Sequence, residues 1–266
     1  MRSINITLLI TFIFSGCSVS ENNSKNTSPA STDIFKGQKG TLVIIDIKTG
    51  KTSMINPDYA KKALSPCSTF KIWNTLIGLK EGLIKKPSEA FYKWDGKKRF
   101  FDAWNRDLTL KEAFRVSCVP AFQNLASRIG AVRMKKHLDT INYGDRNISS
   151  GITDFWLPRK NHRTIMISAV NQAVLITELL TEKLPFSPEQ INILKELMFF
   201  KKIGKCNLYG KTGSSGKVEG SQKLGWYTGF IICNNKTLAF SANLASEDAS
   251  GSIVRDIIYN YFKKLQ

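Results

Sequence analysis

Residues 41–47 read Thr-Leu-Val-Ile-Ile-Asp-Ile, a β-branched run closed by Lys48-Thr49-Gly50, which predicts a strand and a turn. Residues 51–55 follow as the returning arm of a hairpin. From about residue 68 to residue 200 the apolar spacing turns helical, with Trp73, Leu76, Ile77 and Leu79 on one segment and Val170, Val174, Leu175 and Leu179 on another. Strand signals return at residues 207–212, 225–233 and 236–244. Val254, Ile257, Ile258, Tyr261, Phe262 and Leu265 then recur at i, i+3, i+4 and predict a terminal helix. Strands at both ends of a helical block predict one mixed α/β domain whose sheet is assembled from both halves of the chain. No repeat period interrupts that picture.

The first 34 residues follow another pattern. Arg2 precedes an apolar run at residues 4–14, too short to span a bilayer, and Ser15-Gly16-Cys17 follows it. Residues 1–16 are therefore expected to be a signal peptide. Ser15-Gly16-Cys17 resembles a lipobox, in which the cysteine carries lipid, although Phe14 stands where Leu is usual. An ordinary signal peptide with a chance cysteine is the alternative. Residues 17–34 are polar and read as a disordered tether, leaving residues 35–266 as the folded domain. The expected location is outside the cell: a lipoprotein facing outward from the membrane through Cys17, or a secreted or periplasmic protein under the alternative.

Composition narrows the function classes. The chain has 266 residues, 42% apolar and 23% charged, which excludes wholesale disorder. Its formal net charge is +18, but the basic residues are scattered, without a run of five or more like charges or a basic helix face interleaved with aromatics. Nucleic acid is therefore not an expected partner. His137 and His162, the only histidines, have no metal-ligand neighbour at i+3 or i+4, so neither a metal site nor a histidine triad is expected. The acid pairs Glu81/Glu89 and Glu247-Asp248 lack a glycosidase context. Beyond Cys17 there are Cys67, Cys118, Cys206 and Cys233, for which buried free thiols are the default. One register argues otherwise. If residues 207–212 and 225–233 form a bulge-free hairpin centred between 219 and 220, Cys206 and Cys233 face each other and can bond.

Three short segments carry candidate chemistry. In Ser65-Pro66-Cys67-Ser68-Thr69-Phe70-Lys71, Pro66 marks a helix start and puts Ser68 at the helix N-terminus. Residues three apart share a helix face, so Lys71 Nζ can reach Ser68 Oγ and supply the base that a serine nucleophile needs. The N-terminal amides favour negative charge developing there. Alone, this spacing is common in a lysine-rich chain, and Lys71 by itself reads equally as a surface lysine. The second segment, Ser117-Cys118-Val119, lies among residues 113–128, where Phe114, Leu125 and the following Ile129 read as buried helix positions. The third, Lys211-Thr212-Gly213, ends a strand and precedes a Gly/Ser-rich turn, where Lys211 and Thr212 can bind an anion and Gly213 admits a substrate edge.

S-x-x-K, S-x-V and K-T-G in this order resemble the motif set of the penicillin-recognising serine enzymes. With Tyr143-Gly144-Asp145, Phe155-Trp156-Leu157 and Gly225-Trp226, the chain is most similar to class D, oxacillinase-type β-lactamases from about residue 36 to residue 266. It departs at Asp145, where that family commonly has Asn, and at Cys118, a motif position often held by Val. The resemblance implies an antiparallel sheet flanked by N- and C-terminal helices, an inserted all-helical subdomain, and an active site between them.

It also implies roles. Ser68 would attack a β-lactam carbonyl and form an acyl-enzyme, Lys71 would act as an N-carboxylated base made from CO₂ with no other cofactor, and Ser117 would pass a proton to the lactam nitrogen. Lys211, Thr212 and Arg255 would hold the substrate carboxylate, and the amides of Ser68 and Ser214 would form the oxyanion hole. Phe70, Val119, Trp156 and Leu157 would wall the lysine pocket, with the Trp156 indole donating to the carbamate. Without that context Phe155 and Trp156 read as core aromatics and Arg255 as a solvated helix residue. The competing functions are an exported β-lactam sensor that is acylated without turnover and a D,D-peptidase acting on peptidoglycan.

Overall fold

The apolar run at the start of the domain forms β1 (Lys39–Asp46), which hairpins onto β2 (Thr52–Ile55) with Leu42 opposite Ile55. The structure, a computed structural model, describes residues 33–159, 161–216 and 222–265. The expected signal peptide, Cys17 and all but the last two residues of the expected tether lie outside the described residues. After β2 come the short α1 (Pro57–Ala60), a 3₁₀ turn (Cys67–Phe70) and α2 (Lys71–Lys80). β3 (Ala90–Tyr92) and β4 (Leu108–Thr109) pair as a separate small ribbon. The helical block continues through α3 (Leu110–Arg115), α4 (Val119–Ile129), α5 (Ala131–Thr140), α6 (Ala169–Leu180) and α7 (Pro188–Met198). The chain then returns to the sheet as β5 (Phe199–Ile203), β6 (Cys206–Ser214), β7 (Lys223–Cys233) and β8 (Lys236–Ser246), and ends in α8 (Gly251–Lys264).

The six-stranded sheet has the order β2-β1-β8-β7-β6-β5 and is antiparallel throughout, so both halves of the chain build it. β1 is almost continuously apolar because both of its faces are covered. Leu42 and Ile44 join Leu208, Tyr227 and Phe240 under Val254, Ile258 and Phe262 of α8. Val43 and Ile45 point the other way, with Trp226, onto Ala169 and Ala173 of α6. The helical block has its own core, in which Trp73 and Leu76 of α2 meet Phe122 and Leu125 of α4.

Three features differ from the pattern expected of the sequence. β5 falls where helical spacing was read to end; its Phe-Phe-Lys-Lys-Ile is strand because it pairs with β6, and exposed Lys201 and Lys202 suit a sheet edge. The β3–β4 ribbon sits inside the expected helical block. The buried helix positions read across residues 113–128 belong to two helices, α3 and α4, separated at Ser117, which takes φ 54°, with Pro120 in the first turn of α4. A capping box of Thr109 and Glu112 starts the first of the two pieces.

Cys206 and Cys233 are disulfide-bonded, against the default of free thiols. The β6–β7 register runs without a shift from Cys206↔Cys233 to Ser214↔Gly225, which is the condition that placed the two cysteines opposite each other. Cys67 and Cys118 are free and buried.

Candidate active site

The 3₁₀ turn presents Ser68 because several elements grip it from outside. Trp226 Nε1 donates to Ser65 O at 2.9 Å, Ser65 Oγ donates to Trp156 O at 3.3 Å, and Thr69 Oγ1 donates to Pro66 O at 2.7 Å. β6 presses on the same turn at Gly213. A Cβ there would lie 2.9 Å from Pro66 O and 3.1 Å from Thr69 N, so only glycine brings strand and turn this close.

Lys71 is the first residue of α2, and its Nζ donates to Ser68 Oγ at 2.8 Å. The side chain is wholly buried. Burial pushes the amine down to about 7, opposed only by Cys118 and Cys67. Phe122 lies beneath it, with Nζ 5.4 Å from the ring centroid. Cys67, beside the nucleophile, is no rival: burial pushes its thiol up to about 12, so it stays protonated.

Lys211, on β6, reaches the second segment. Its Nζ donates to Ser117 Oγ at 3.0 Å, to Thr212 O at 2.9 Å and to Thr212 Oγ1 at 3.3 Å. Burial, and then the charge of Lys71, hold its amine well below the usual lysine range. Phe114 lies 5.6 Å from Nζ. The break at Ser117 is what turns that hydroxyl toward β6.

Ser214 is placed by register. Ser215 N donates to Leu224 O, and bonded and non-bonded pairs alternate in an antiparallel ladder, so Ser214 and Gly225 form a non-bonded pair. The Ser214 amide therefore points away from β7, while its Oγ accepts from Gly251 N at 2.8 Å.

Trp156 is fully buried, stacked on Phe70 at 5.4 Å with 25° between the rings, and its Nε1 has no hydrogen-bond partner. A buried indole N–H is normally satisfied, and this one has no acceptor among the described residues. Leu157 and Val119 are half-buried, Leu157 against the helical core and Val119 as the first residue of α4. Asp145 ties its own loop: its Oδ1 accepts from Met166 N at 3.0 Å and from Asn147 N at 3.2 Å, and its Oδ2 lies 3.9 Å from the Arg163 guanidinium.

Arg255 lies on α8. Its guanidinium lies 4.8 Å over the Phe200 ring, and its Nε donates to Asp256 Oδ1 at 2.9 Å. It sits one turn below Gly251 on the same face of α8, and Gly251 packs on Thr212 and Gly213. It is thus near the K-T-G strand but turned toward β5. Phe114 and Phe122 under the two amines escaped the sequence reading as site residues. Their signal was their spacing, three before Ser117 and three after Val119, but a core role explains such spacing equally well.

Residues 40–263 match the family model described as the penicillin binding protein transpeptidase domain. The chain is 37% identical over 232 residues to "Probable beta-lactamase YbxI" of Bacillus subtilis, covering 87% of this chain and 83% of that protein. It is also 37% identical to beta-lactamase OXA-10 of Pseudomonas aeruginosa, over 88% of this chain and 85% of that one. Among solved structures it superposes on FUS-1 (OXA-85), a class D β-lactamase from Fusobacterium nucleatum subsp. polymorphum, with a TM-score of 0.80 and 37% identity. That match covers 88% of this chain and 96% of the other.

Proposed function

The chain belongs to the penicillin binding protein transpeptidase-domain family and, within it, to the class D β-lactamases, and on that premise we propose that it opens the β-lactam ring through a Ser68 acyl-enzyme with N-carboxylated Lys71 as general base. The observation that carries this reading is a wholly buried lysine amine, held near neutral pH beside Ser68, together with an unpartnered buried indole donor at Trp156. At pH 7 an amine with the ordinary value is neutral in about one molecule in three thousand. Lys71, down at about 7, is neutral in roughly half of them. The neutral nitrogen forms a bond to the carbon of CO₂ and loses one proton, leaving a carbamate anion.

Two consequences favour that product. The carbamate oxygens give the Trp156 N–H an acceptor. The charge near Lys211 also changes sign: an ammonium at Lys71 disfavours the Lys211 cation, whereas an anion there stabilises it. Lys211 is then charged when a substrate carboxylate arrives.

The carbamate takes the Ser68 proton as Oγ attacks the lactam carbonyl, whose oxygen meets the Ser68 and Ser214 amides. The ring C–N bond breaks, and Ser117, held by Lys211, gives the nitrogen its proton and regains one from the protonated carbamate, which leaves the carbamate a free base again. A water, activated by the same carbamate, releases the acyl group and restores the Ser68 hydroxyl. Arg255 would join Lys211 and Thr212 on the carboxylate only by leaving Asp256.

The test is steady turnover of nitrocefin across pH, with and without bicarbonate. Protonation of the amine below about pH 7 removes the form that binds CO₂, so activity should fall with acidification and recover on added bicarbonate. A low-pH loss that bicarbonate leaves untouched would contradict the carbamate, and a single stoichiometric burst would favour a sensor.

Lys211→Ala should lower kcat/KM by about 30- to 900-fold, the worth of on the order of 2–4 kcal/mol for a buried charge paired with a carboxylate. Unchanged kcat/KM in that variant would remove Lys211 from the site.

A further inference from the structure

The Trp156 indole has no hydrogen bond of its own to place it, so its position is set by what grips its ring and its backbone. Phe70 stacks on the ring, and Ser65 Oγ holds Trp156 O. Ile165 N donates to Phe155 O at 2.8 Å and closes the loop downstream. Upstream the grip comes from α4. Gln123 Nε2 donates to Thr153 O at 3.2 Å and to Asp154 Oδ1 at 3.0 Å. Asp154 Oδ1 also meets Arg159 at 2.9 Å, and Thr153 Oγ1 donates to Asp154 Oδ2 at 3.2 Å.

One amide thus spans two successive residues, fixing both the position and the orientation of the backbone just before Phe155-Trp156. The bond to the carboxylate is charge-assisted and the stronger of the two kinds. Gln123 also directly follows Phe122, whose ring underlies Lys71 Nζ. A single turn of α4 therefore touches the amine on one side and the loop of its indole donor on the other.

We propose that Gln123 is a positioning residue that fixes the Trp156 indole relative to Lys71 and thereby sets how readily Lys71 takes up CO₂. This rests on the carbamate reading above. Gln123 touches neither the amine nor Ser68. Its loss leaves every group of the reaction in place and loosens only the donor that holds the carbamate.

The experiment is a bicarbonate titration of nitrocefin turnover by wild type and by Gln123→Leu, with thermal unfolding measured on both. The bicarbonate concentration for half-maximal activity should rise about tenfold in the variant, the effect of slackening one hydrogen bond to a charged group. At saturating bicarbonate, kcat/KM should return to within about twofold of wild type, because mass action refills the site. An unchanged half-maximal concentration would overturn the proposal, and so would a loss that bicarbonate does not restore. If Gln123→Leu fails to fold, Asp154→Asn keeps the shape while weakening the same contact, and it should shift the titration in the same direction. A wild type indifferent to bicarbonate would instead sink the carbamate reading itself, so the two failures are distinguishable.

Discussion

Ser68→Ala should lose β-lactam turnover by at least about 10⁴-fold while keeping its fold. Among the described residues the hydroxyl is the group hydrogen-bonded to Lys71 Nζ and able to form the acyl bond, since Cys67 is a protonated thiol buried in the same turn. The turn is held by Trp226, Ser65 and Thr69 and by the pressure of β6 at Gly213, none of which involves Ser68 Oγ. Only the bond to Lys71 disappears, which costs about 1 kcal/mol. Intact-mass measurement after incubation with a penicillin should show no adduct on the variant and one on wild type; an adduct on the variant would move the nucleophile elsewhere.

Lys71→Ala should lower kcat by about 10³-fold or more, because in the proposed mechanism the same base is used in both halves of the reaction. Acylation retains some driving force from ring opening and the oxyanion amides, whereas release of the acyl group needs a water activated from that one position. The variant should therefore trap substrate: a burst of about one equivalent, then a persistent acyl-enzyme by mass. Equal slowing of both steps, with no accumulated adduct, would contradict the double use.

The stability consequence has a definite sign. Lys71 is depressed to about 7 in the folded chain from 10.5, so the unfolded state binds more protons between those values and wild-type stability rises with pH across that window. Lys71→Ala should show a shallower rise, with Lys211 left to contribute its share.

What the sequence discloses follows the range of the interactions. The contact of Ser68 with Lys71 is three residues long and follows from helical spacing alone. β1 and its hairpin, the long β6–β7 and β7–β8 pairs and α8 are equally legible, since period 2 or 3.6 records what each element buries. Cys206 and Cys233 are separated by 27 residues; counting offers their pairing only on the condition of a bulge-free hairpin, against a default of free thiols, and the register meets that condition.

Ser117 and Lys211 lie 94 residues apart, and no local pattern joins them; only the resemblance did. β5 is strand by partnership with β6, not by its own residues. Arg255 is named only through the resemblance, and in the fold Asp256 and Phe200 decide where its guanidinium points. Nothing local marks Gln123, and only the fold sets Asp154, 31 residues on, beside it.

The central claim is that Lys71 carries a carbamate, and ¹³C NMR in labelled bicarbonate addresses it without passing through activity. The account predicts a carbamate resonance in wild type at neutral pH that fades on acidification, returns on neutralisation, and is missing from Lys71→Ala. A wild type that turns over β-lactam at neutral pH without that resonance, or a resonance that survives in Lys71→Ala, would contradict it.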